Sequence, residues 1–222
     1  MDALDVSFVL SPVSASYIRT ALRLTHFAGL VLGLGGAVFL DLILCRHRRA
    51  AVTAELVGNV EWISRFVAGG LTMLWISGIG FLLLYQATEP EKVQNPKIWA
   101  KIIIVAILTL NGLAIHRLVL PFLRERIGSP LLSGIQPAKK TALIACGAIS
   151  GVSWTIPVVL GAAPQLNFVV PCSVILAAYL LVLAQAFLIG AIAMRERREP
   201  APQSCTGLPD EAMDAAPSHS QA

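Results

Sequence analysis

Residues 20–45 read TALRLTHFAGLVLGLGGAVFLDLILC, an almost unbroken apolar run. It is longer than the about 20 residues that a helix needs to cross the hydrocarbon core of a bilayer. Its apolar side chains cover the whole circumference of a helix, as in a segment surrounded by lipid or by protein core. In lipid every backbone N–H and C=O must be satisfied by the chain itself, which leaves only helices and closed barrels. A barrel strand would alternate polar and apolar residues over a short stretch, and this run does not alternate. It therefore predicts a transmembrane helix.

Four more runs of the same kind follow, at about 64–86, 98–120, 140–162 and 168–194. The fold class is all-α, a polytopic transmembrane bundle of about five spans. Composition agrees, with 56% hydrophobic and 14% charged residues and a mean hydropathy of +0.73. A soluble domain carries about 25% charged residues. Pro157 and Pro171 lie inside or at the ends of spans, where the missing N–H kinks a helix or marks its end.

Lys and Arg set the orientation. With five spans, one face collects Arg46, Arg48, Arg49, Arg65, Arg117, Arg124, Arg126, Lys139, Lys140, Arg195, Arg197 and Arg198. The other has Arg19, Arg23, Lys92, Lys97 and Lys101, a split of 12 to 5. The positive-inside rule then places the N-terminus outside and the C-terminus in the cytoplasm of a bacterial inner membrane. Three regions result: an extracytoplasmic segment 1–19, a transmembrane domain 20–198, and a Pro-, Ala- and Ser-rich tail 199–222 expected to be disordered. The first ten residues, MDALDVSFVL, have no basic n-region and predict no cleaved signal.

Several function classes lose support. No basic stretch is interleaved with aromatics, which argues against nucleic-acid partners. Cys45, Cys146, Cys172 and Cys205 form no CxxC pair and predict neither a disulfide framework nor a metal site. Phosphate-binding, zinc-protease, serine-hydrolase and dinucleotide fingerprints do not occur. Glycines concentrate in the spans, with GxxxG pairs at Gly29/Gly33 and Gly147/Gly151. Such positions let helix backbones approach closely, within one bundle or against a second copy or another membrane subunit.

Ionisable residues inside spans are costly and so are candidates for function. They are His26 and Asp41 in the first span and Lys101 and His116 in the third, joined by the neutral Asn111 and Gln185. Each ionisable pair is 15 residues apart, a rise of about 22 Å. The first and third spans run in the same direction. His26 and Lys101 therefore form an outer level, and Asp41 and His116 an inner one that Gln185 approaches. A single haem b clamped by His26 and His116 is disfavoured by that difference in depth. A haem held by His26 with a non-histidine group opposite remains open. The inner level gives an alternative, a small ion, metal or proton transporter with Asp41, His116, Asn111 and Gln185 as a polar relay. A third reading is a structural or assembly subunit in which the polar groups only fix packing.

The early His26, the glycines from Gly33 to Gly36 and the polar Asp41 resemble the first helix of the copper-resistance protein D family and of the HemJ-type protoporphyrinogen oxidases. IWAKIIIVAIL, with Trp99 and Lys101, is similar to a later helix of those proteins. The resemblance implies haem binding and redox activity through His26 and Lys101. The stretch EWISRFVAGGLTMLWISGIGFLLLYQ at 61–86, followed by NPKIWAKIIIVAILTLNG at 95–112, looks like an uncharacterised bacterial inner-membrane family.

Overall fold

The protein is described here by a computed structural model covering residues 11–47, 50–131 and 134–194. Five helices long and apolar enough to cross a membrane succeed one another. They are α1, Pro12–His47; α2, Ala54–Thr88; α3, Pro96–Glu125; α4, Pro137–Ala162; and α5, Cys172–Ala193. This is the all-α five-span architecture that the hydropathy requires. Residues 1–10 and the tail 199–222 lie outside the described residues.

The helices extend beyond the apolar runs. α1 has 36 residues and α2 has 35, about 54 Å and 52 Å of rise against a hydrocarbon core of about 30 Å. Local chemistry sets the ends. Thr53 caps α2 by accepting from the Leu56 N–H at 3.1 Å, and Glu55 in the first turn suits the helix dipole. α2 stops before Pro90, which opens a 3-10 turn over Pro90–Gln94. Asn95 caps α3, accepting from Lys97 N–H at 3.1 Å ahead of the whole span. Within α3, Ile115–Val119 is a π-helical turn, which rephases the helix face before Leu120–Glu125. Pro157 is inside α4, whereas Pro171 caps α5 and so marks a start.

The turns fall at two ends. At the end carrying the α1–α2 and α3–α4 turns, Val52 exchanges backbone hydrogen bonds with the other turn, N–H to Ser129 O at 3.0 Å and C=O from Gly128 N–H at 2.8 Å. Val52, Leu56, Val57, Val60, Leu120 and Leu123 pack there as a buried cluster. At mid-height Ala37, Leu74, Leu108 and Trp154 bring α1, α2, α3 and α4 together. α1 runs along α2, and α3 packs on α4 and α5. The α1–α2 contact depends on missing side chains. A Cβ on Gly70 would stand 2.4 Å from Gly33 N and 2.6 Å from Gly29 O. A Cβ on Gly33 would meet the Trp154 ring at 2.2 Å. The Gly29/Gly33 pair is therefore spent on close packing inside the bundle. The second pair, Gly147 and Gly151, faces open space.

Candidate functional site

At mid-height Trp75 Nε1–H of α2 donates to Thr109 Oγ1 of α3, at 3.0 Å. Beyond it, α1, α2, α3 and α4 enclose a cavity of about 640 Å³ on the side of the α2–α3 turn. Leu74, Leu108 and Trp154 form its floor. α4 presents Ser153, Pro157 and Gly161, residues four apart on one face. The walls are mostly apolar and aromatic, as is usual of small-molecule and cofactor sites of about 300–1,000 Å³.

Its ionisable groups come from three elements. α1 contributes Arg23 and His26, α2 contributes Tyr85, and α3 contributes Lys101. Among the described residues no Asp or Glu lines the cavity, and the charged groups there are basic. Lys101 has no hydrogen bond or ion pair among the described residues. A Cβ on Gly161 would lie 3.7 Å from Lys101 Nζ, an ordinary contact distance, so the ammonium stands beside this glycine of α4. The other two lysines at this end are spoken for. Lys97 is buried and donates to Ala163 O, the end of α4, at 2.7 Å. Lys92 pairs with Glu89.

His26 is oriented by α2. Its Nδ1 lies 2.9 Å from Ser77 Oγ, and Ser77 is fully buried. The Ser77 hydroxyl donates to Met73 O at 2.7 Å, so its proton is committed. With that proton on Met73 O, Ser77 can accept from Nδ1–H, the tautomer that leaves the His26 lone pair on Nε2. Phe81 holds the ring edge-to-face at 6.0 Å, and Tyr85 stacks on Phe81 at 5.9 Å. A fixed Nδ1–H donor with a free Nε2 is how proteins prepare a ligating histidine.

The rim is tied by charge. Arg19 of α1 and Lys92 of the 3-10 turn both pair with Glu89, and the Lys92 ammonium sits 5.4 Å over the Tyr85 ring. Lys92, and then Arg19, hold the Glu89 carboxyl below the usual carboxylate range. Trp99 Nε1–H donates to Val93 O at 3.0 Å. Asn95 Oδ1 also accepts from Phe168 N–H at 3.3 Å, which supports the left-handed backbone of Phe168, φ 59°.

The sequence-derived candidates thus separate. His26 and Lys101 line one cavity. Asp41 is half-buried, and His116 is exposed in the π-helical turn. Among the described residues no hydrogen bond or ion pair joins them or any partner to either. Asn111 is buried and donates to Cys146 O at 3.0 Å, a tie between α3 and α4. Gln185 is exposed on α5. Sequence reasoning passed over Arg23, Ser77 and Tyr85. Arg23 reads as an interfacial cation and Ser77 as ordinary helix glue, and only the fold turns them toward His26. Compared with family models, curated proteins and solved structures, the chain matches none.

Proposed function

We propose that this membrane protein binds a haem or porphyrin in the cavity between α1 and α4, with His26 as the ligating residue. The observation that carries this reading is the His26 Nδ1–Ser77 contact at 2.9 Å on the wall of an aromatic cavity of about 640 Å³. The residues fit such a group in three respects. Nε2 of His26 is a neutral donor held in one tautomer. Phe81, Tyr85, Trp75 and Trp154 offer faces and edges to a flat conjugated ring. Arg23 and Lys101 supply positive charge for carboxylate substituents. A bound haem would supply one-electron redox chemistry. The chain's own part is to orient His26 through Ser77, to neutralise the carboxylates and to exclude bulk water with the aromatic wall. The resemblance to HemJ-type and copper-resistance D proteins points the same way. In this reading the cavity opens toward the outer side of a bacterial inner membrane.

The relay alternative has less support, because Asn111 is committed to Cys146 O and His116 and Gln185 face outward. The test is the visible absorption spectrum of the detergent-purified protein, oxidised and then reduced, after expression with haem available. A Soret band that shifts on reduction and is lost in His26→Ala is expected. A colourless wild type of full helical content would overturn the proposal.

A further inference from the structure

A second concavity lies on the opposite side of α3, independent of the cavity and of its proposed cofactor. It is a groove of about 350 Å³ between α3 and α4, lined by Ile107, Leu110 and Ala114 on one side and Ala142, Ala145 and Ile149 on the other. Small residues hollow it. Asn111 closes its base by donating to Cys146 O, so its amide N–H and that carbonyl are paired with each other. Its walls suit a flexible apolar chain.

The groove leads toward a cluster of cations. Lys139 is the third residue of α4 and stands three residues before Ala142. Its ammonium lies 5.9 Å from the Phe122 ring, and the Arg126 guanidinium lies 5.4 Å from the same ring. Two cations from two helices are thus gathered at one aromatic side chain. Arg117, exposed, stands three residues after Ala114 on α3. Of the acids on α2 and α3 at this end, Glu61 pairs with Arg124 at 2.6 Å and Glu125 is exposed beside Arg126 in sequence. The first turn of α4 contains no acid, and no side chain caps it. An apolar slot that ends at concentrated positive charge, at the boundary of a span, complements an acyl chain joined to an anionic headgroup.

We infer that the α3–α4 groove is a binding site for an anionic phospholipid, with an acyl chain along Ala114, Ala142 and Ala145 and the phosphate at Lys139 and Arg117. Native mass spectrometry of the full chain in detergent tests this, with phosphatidylglycerol, phosphatidylcholine of identical chains, and inorganic phosphate as probes. Phosphatidylglycerol should be retained preferentially. The combined Lys139→Gln and Arg117→Gln variant should erode that preference by about fivefold per cation removed. Ala145→Phe blocks the slot without moving a charge and should reduce retention of both lipids. Equal retention of the two lipids by the wild type would overturn the inference. So would displacement of phosphatidylglycerol by millimolar phosphate, which would make the site one of charge alone. If the double variant does not fold, Ala145→Phe decides, and unchanged lipid retention in it would remove the groove from the site.

Discussion

At the end with the α1–α2 and α3–α4 turns, Val52, Leu56, Leu120 and Leu123 fill the space between helices. At the opposite end the same helices enclose about 640 Å³ and are joined at the rim by Arg19, Glu89 and Lys92. The first end is closed by apolar contact and by backbone pairing between turns. The second is held by a few polar ties around a hollow. Stability in a protein is not uniform, and sites that take up ligands are drawn from the less filled part. Here one end can stay hollow because the other end and the mid-height cluster hold the helices in place.

The sharpest way to break that contrast uses two glycines of α2. Gly70 stands where α1 and α2 touch, and Gly78 faces the cavity with open space at its Cβ position. Gly70→Leu forces the side chain into the Gly29–Gly33 backbone and should cost about 3 kcal/mol or more, read as a lower unfolding midpoint by circular dichroism in detergent. Gly78→Leu should leave the midpoint unchanged or raise it slightly, since leucine is the better helix former by up to about 1 kcal/mol. It should nevertheless abolish ligand uptake by filling the cavity. Equal stability losses at the two positions would end the division into a packed and a hollow region.

Leu123, 1% exposed, measures the filled end directly. Leu123→Ala should cost about 2–5 kcal/mol and leave ligand affinity unchanged when measured below the midpoint. Ser77→Ala measures the hollow end. It removes the acceptor for His26 Nδ1–H, frees the tautomer, and should weaken binding of the cofactor by about tenfold. Its effect on the unfolding midpoint should be smaller than that of Leu123→Ala. A haem titration of the apoprotein, followed by absorbance, checks the affinity.

The fold was legible because lipid imposes a coarse requirement: about 20 apolar residues per span, which each run meets. The ends were less so. α1 begins at Pro12 and α2 at Ala54 rather than near 20 and 64, since Thr53 and the polar first turns extend the helices past their apolar stretches. The site was legible in part. His26 and Lys101 stand out because charge is rare within spans, and helix rise puts them at one level. Their common cavity was not readable, because it depends on how four helices are arranged around it. A partner for Asp41, His116 or a nearby arginine, is not seen among the described residues, where His116 stands exposed in the π-helical turn at Ile115–Val119. Arg48 and Arg49, also near Asp41 in sequence, lie outside the described residues.

The smallest effect belongs to the rim. Glu89 takes its lowered pKa from Lys92 first and Arg19 second. A carboxylate with a depressed folded-state pKa contributes stability that is complete above its unfolded value, 4.5, and is lost as pH falls through the lower folded value. The Arg19–Glu89 tie between α1 and α2 should therefore release only below pH 4.5. Because the three side chains are partly exposed, salt screens them, and the stabilisation is small. The measurable consequence is local. Hydrogen exchange at the last turn of α2, around Tyr85 and Thr88, should quicken in acid in the wild type relative to the intrinsic rate. Glu89→Gln should show that faster exchange already at neutral pH and little further change in acid. The Val52 end, held by apolar packing, should show no such dependence in either protein. An acid response of equal size at both ends would mean that the rim is not tied by charge.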